Sequence, residues 1–126
     1  MSQGRGSVGK AMLIMVALLC LLVHSAPVHA ATYTVGDADG WIYDVVNWPN
    51  GKTFKAGDVL VFNYLPEVHN VVEVDINGYN RCKAPAGSKV HNSGNDKITL
   101  VKGTNSFICT FEGHCLQGMK ITVTAK

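Results

Sequence analysis

Three things are scarce in this sequence: net charge, long apolar runs and the motifs of catalysis. Charged residues make up 16% of the chain and never form a block of one sign, so bulk charge gives no support for nucleic-acid or membrane binding. Only one long apolar run occurs, Ala11 to Val23, and its 13 residues fall short of the roughly 20 needed to span a bilayer. No hydrophobic tail follows the last strand-like segment, which argues against a lipid-anchor signal. No Ser-His-Asp arrangement and no Gly-rich phosphate loop is found. Long helical periodicity is missing too, although "GWIYDVVNW" could hold a short helical turn. Past residue 30 there is no Asn-x-Ser/Thr acceptor, so N-glycosylation is not expected.

What is present begins with a leader. Arg5 and Lys10 precede the apolar run, and Val28-His29-Ala30 closes it with small residues flanking a spacer. This is the layout of a secretory signal peptide over residues 1–30, cleaved after Ala30. The remaining residues, 31–126, suit one small domain, secreted and without a membrane anchor. Loss of Arg5 and Lys10 leaves nine basic and nine acidic residues, a formally neutral domain.

Cysteine usage sharpens the picture. Cys20 leaves with the leader, so the domain keeps three: Cys82, Cys109 and Cys115. An oxidising compartment favours one bridge and leaves one thiol over. Cys109 lies in "NSFICTF", where Phe107, Cys109 and Phe111 alternate onto one face that should point into a core, which favours Cys109 as the spare thiol. A Cys109–Cys115 closure with Cys82 free, or a dimer bridged through Cys82, remains open on the residues alone.

Short runs rich in Val, Ile, Thr and Phe, bounded by Gly, Asn, Asp and Pro, predict an all-β domain. They are 31–36, 58–64, 69–75, 97–101, 105–111 and 120–125. So many short strands in one small domain point to a two-sheet sandwich or barrel. Residues 78–96 read as the longest irregular stretch, with Cys82 as its staple.

Cys109, His114 and Met119 recur at intervals of five residues around one strand–loop–strand connection. His69 opens an upstream strand-like run, whereas His91 lies in a polar stretch. One thiolate and two imidazoles with a weak axial thioether form the donor set of a blue-copper electron-transfer site, while zinc prefers Cys and His sets without methionine. Trp41 and Trp48 read as core or loop anchors. Asp37, Asp39 and Asp44 read as a solvated loop.

The stretches "YTVGDADGW", "WPNGKTFKAGDVLVFNY", "HNVVEVD", "CKAPAG", "SGNDKITL" and "FICTFEGHCLQGMKI" together resemble the phytocyanins, plant blue-copper proteins of the cupredoxin class, and within them the plantacyanin (basic blue protein) branch. The resemblance covers essentially all of residues 31–126. It implies a cupredoxin-like Greek-key sandwich with short helical turns, and one type 1 copper held by His69, Cys109, His114 and Met119. It implies further that Asn70 ties the ligand loops together and that Cys82 and Cys115 form the disulfide. Glutamine replaces the axial methionine in a related branch, but here Met119 holds that position. The function implied is outer-sphere one-electron transfer in the extracellular space by a monomer that is not an enzyme, with a small redox molecule or redox protein as partner. The alternative is a signalling or recognition protein of plant reproduction or the cell wall, with copper structural or modulatory. The chain departs from its branch in one respect, since members are typically basic and this domain is formally neutral.

Overall fold

A computed structural model describes residues 29–126. The expected leader therefore lies outside the described residues, apart from its last two.

Seven strands form two sheets. β1 (Thr32–Thr34), β2 (Val59–Asn63) and β5 (Asn95–Thr99) make the first, in the order β1-β2-β5. β3 (Val71–Val74), β4 (Val90–His91), β6 (Gly103–Ile108) and β7 (Lys120–Ala125) make the second, in the order β4-β3-β6-β7. β1 runs parallel to β2, and every other strand pair is antiparallel. The chain crosses between sheets after β2, β4 and β5, as the Greek-key expectation requires.

Alternation along the strands explains where the core sits. Leu60 and Phe62 of β2, Ile98 of β5, Phe107 of β6 and Ile121 and Val123 of β7 point between the sheets, joined by Val35, Trp41, Phe54 and Leu100. Trp41 meets Phe62 edge-on, and Phe62 meets Phe107, with centroids 5.1 Å apart in both pairs. The opposite face of the second sheet carries a smaller core. Val72 and Ile108 pack there with Cys115, bordered by Val74, Tyr79 and Cys82. β3 and β6 thus serve both cores, because neighbouring residues of a strand face opposite ways.

The second core is roofed by α1 (Ile76–Arg81), a helix inside the stretch read as irregular. Its sequence "INGYNR" is poor in helix formers, so propensity gives no warning of it. Its cap does the work: the Asp75 side chain accepts from the Gly78 amide at 2.8 Å. Gly78 is needed for closeness, since a Cβ there would lie 2.6 Å from the Lys83 carbonyl oxygen. Two other readings shift. "GWIYDVVNW" forms turns without a helix, and the one-turn 3-10 segment lies earlier, at Asp37–Asp39. β6 ends at Ile108, so Phe111 does not continue the inward face and is 37% exposed.

β5 begins two residues earlier than the apolar run suggests, because buried Asp96 anchors it. Its carboxylate accepts from the Tyr64 hydroxyl and from the Ser93 amide and hydroxyl. Burial, and then the hydrogen bond to Asp96, push the Tyr64 phenol up from 10.0 to about 12. The unfolded chain therefore loses this proton at lower pH than the folded one. The resulting stability is fully present below pH 10.0 and is lost as pH rises from there through about 12. Tyr64→Phe should cost about 1–3 kcal/mol in urea unfolding at neutral pH, because it strips a donor from a buried carboxylate. It should also remove the part of the alkaline stability loss that follows the late phenolate absorbance.

Candidate metal centre

Two segments far apart in sequence build the site. The first is the approach to β3, with His69 and Asn70 just ahead of Val71. The second is the connection from β6 to β7, residues 109–119. This connection closes on itself through its backbone. The Cys109 amide donates to the Met119 carbonyl, the Met119 amide to the His114 carbonyl and the His114 amide to the Phe111 carbonyl, each at 3.1 Å. Cys109 and Met119 thus flank the strands, one residue beyond β6 and one before β7.

Asn70 joins the two segments. Its Nδ2 donates to Thr110 Oγ1 and its Oδ1 accepts from the Thr110 amide, both at 2.8 Å. The Trp41 indole donates to the Asn70 carbonyl at 2.9 Å, which anchors the same residue to the main core.

The result brings three donors together. Nδ1 of His69 and Nδ1 of His114 lie 3.0 Å apart, and Nδ1 of His114 lies 3.5 Å from Sγ of Cys109. One donor atom from each of the three residues falls within 4.8 Å of the others. Metal–imidazole and metal–thiolate bonds run about 2.0–2.3 Å, so donors of one ion can stand up to about 4 Å apart. The separations of 3.0 and 3.5 Å fit a shared ion. Met119 is fully buried in the same core cluster as Cys109 and is tied by its backbone to both Cys109 and His114. His91 is elsewhere, on β4, where its Nε2 pairs with Glu73 at 2.8 Å.

Burial sets the protonation. Desolvation pushes the Cys109 thiol up, opposed by hydrogen bonds from the backbone of Asn70 and Phe111. Desolvation, then the neighbouring His114, lowers the His69 imidazole and keeps its lone pair free. Both donors are held neutral until a cation favours the thiolate. His114 is half-buried, and Phe111 stacks on its ring at 5.8 Å with 21° between planes.

The disulfide joins Cys82, at the end of α1, to Cys115, beside His114. Cys109 is the free, buried cysteine among the described residues. Trp48 packs at the core edge, and Asp37, Asp39 and Asp44 are exposed.

Sequence reasoning overlooked two residues. Thr110 gives no motif signal, because it acts through the backbone and hydroxyl of a position whose only mark is adjacency to Cys109. Tyr43 stands edge-on to both imidazoles, 5.6 Å from His69 and 5.1 Å from His114, with its hydroxyl 3.1 Å from His114 Nε2. It lies in the turn-rich stretch read for a short helical turn, tryptophan anchors and a solvated carboxylate, with no role given to its tyrosine.

Comparison with known proteins gives concordant matches. Residues 30–119 match the model of the plastocyanin-like domain. The chain is 54% identical to a basic blue protein of Arabidopsis thaliana and 52% identical to a chemocyanin of Lilium longiflorum, each match covering 99% of both chains. Among solved structures it resembles cucumber basic protein, a blue copper protein, with a TM-score of 0.76 at 53% identity, covering 76% of this chain and all of the other.

The bridge closes a loop across a separation of 33 residues, for which chain entropy gives about 3–4 kcal/mol. Replacing Cys82 and Cys115 together by serine should lower unfolding free energy by about that amount in urea titration.

Proposed function

We propose that this chain, which belongs to the plastocyanin-like family, is a secreted one-electron carrier that holds one copper ion between His69, Cys109, His114 and Met119. The phytocyanin resemblance drawn from its motifs is borne out by the matches. The observation that carries the ligand set is the convergence of two imidazole nitrogens and one sulfur at 3.0 and 3.5 Å. Met119 completes it as the soft donor that separates a copper site from a zinc site.

Copper bound there supplies a one-electron couple between its cupric and cuprous states. The chain's residues supply what lets that couple run fast. His69, Cys109 and Met119 are buried and excluded from water, and their segments are cross-bonded through Asn70 and Thr110, so little rearranges when charge changes. With four protein donors, no position is left for a substrate, which supports a carrier and not an enzyme.

His114 is the half-buried member of the set and supplies the route to a partner. Beside it stand two exposed apolar side chains, Phe111 at 37% and Leu116 at 83%. Small, weak contacts of this kind suit transient redox encounters with a small molecule or a protein. The formally neutral domain supports contact through shape and apolar area over steering by net charge.

Secretion is supported by the leader-like residues 1–30 and by the disulfide, a feature of oxidising compartments. Among the described residues no helix is long and apolar enough to cross a membrane.

Purified protein loaded with one equivalent of copper should show an intense visible thiolate-to-copper band. Cys109→Ser and His114→Ala should each abolish it, whereas His91→Ala should leave it unchanged. A normal band in either of the first two variants would remove that residue from the ligand set.

A further inference from the structure

Tyr43 touches the site without belonging to the four donors. Its hydroxyl stands 3.1 Å from Nε2 of His114. That is the nitrogen opposite the one that faces the cluster, since Nδ1 of His114 lies 3.0 Å from His69 Nδ1 and 3.5 Å from Cys109 Sγ. A nitrogen that binds a metal must offer a lone pair, so the ring's proton sits on Nε2. The nearest acceptor for it is the phenol oxygen of Tyr43.

The segment carrying Tyr43 is fixed to the ligand loop itself. The Asp44 amide donates to the Gln117 carbonyl at 3.0 Å and the Val45 amide to the Gly118 carbonyl at 3.1 Å. Asp44 adopts a left-handed φ of 60°, an unfavourable conformation for a non-glycine residue that the surrounding contacts must hold. Gly118 permits the approach: a Cβ there would stand 3.0 Å from the Asp44 Cα. The same loop that presents His114 therefore places the residue that caps it. Edge-on contact of the Tyr43 ring with both imidazoles, at 85° and 86°, leaves little room for His114 to turn.

We propose that Tyr43 is a positioning residue, which accepts a hydrogen bond from His114 Nε2–H and so holds the half-buried imidazole in the ligating tautomer. A partner of this kind fixes ring orientation and raises the basicity of the metal-facing nitrogen. The inference rests on the copper reading of the site.

The test uses wild-type and Tyr43→Phe protein, with Tyr33→Phe as a control that removes a phenol bonded to the distant Thr53 carbonyl. Cuprous protein is diamagnetic, so its imidazole N–H protons can be followed by NMR. Wild type should show a His114 Nε2–H that exchanges slowly with water. Tyr43→Phe keeps the ring and should lose that protection. It should also bind cupric copper about 10–100-fold more weakly, the usual effect of removing such a partner. If the cuprous form is spared tenfold, the reduction potential rises by about 59 mV. Tyr33→Phe should change none of these. A blue wild-type protein whose His114 Nε2–H exchanges freely, or whose proton lies on Nδ1, overturns this inference alone, whether or not the variant folds. A Tyr43→Phe protein with wild-type exchange, affinity and potential overturns it as well. A wild-type chain with no blue band overturns the copper reading and this inference with it.

Discussion

The pair of hydrogen bonds between Asn70 and Thr110 is the constraint on which the metal centre depends. His69 and Cys109 come from segments 40 residues apart, and each of these bonds spans the same separation. One side-chain amide supplies both a donor and an acceptor in a fixed plane, so the two segments are set in both distance and orientation. The Asn70 carbonyl is in turn held by the Trp41 indole, so the clamp is seated in the main core. A buried polar network of this kind is costly when half satisfied and rigid when complete. Here the polar atoms of the clamp are paired, and the histidine that precedes it and the cysteine beside Thr110 inherit its position.

Strand alternation delivers the rest of the geometry. Phe107 and Cys109 face the main core while Ile108 between them faces the smaller core beneath α1. The sulfur is therefore buried by the same pattern that makes the sheet. Burial then determines the chemistry of the donors. A thiol pushed up and an imidazole pushed down are both neutral, and neutral donors can be buried at modest cost. A cation reverses the balance at the sulfur, where two backbone hydrogen bonds are already in place.

The β-architecture was legible because its signals are local: short Val- and Thr-rich runs between turn residues, and β7 was bounded correctly at Lys120–Ala125. The helix Ile76–Arg81 and the two-residue β4 were not, because capping by Asp75 and pairing with β3 stabilise them where propensity does not. In the site, the five-residue spacing of Cys109, His114 and Met119 could be read directly. The clustering of His69 with them could be suspected from donor chemistry alone, but its distance could not. Thr110 and Tyr43 escaped notice since both act through hydrogen bonds that exist only after distant segments meet.

The ligand loop faces conflicting requirements. His114 must lie near the surface if electrons are to pass, so the loop that carries it cannot be held by burial. Phe111, Glu112, Leu116 and Gln117 are all exposed, and Cys115 is the buried residue of its 3-10 turn. A loop with so little apolar anchorage would ordinarily be mobile. Stiffness is supplied by other means. The disulfide ties Cys115 to the end of α1, left-handed Gly113 and Gly118 permit tight turns, and the backbone bonds from His114 to Phe111 and from Met119 to His114 close the loop. The bonds from the Asp44 and Val45 amides add an outer brace. In the proposed reading, rigidity without burial is what allows the His114 imidazole to be both a fixed ligand and a point of contact.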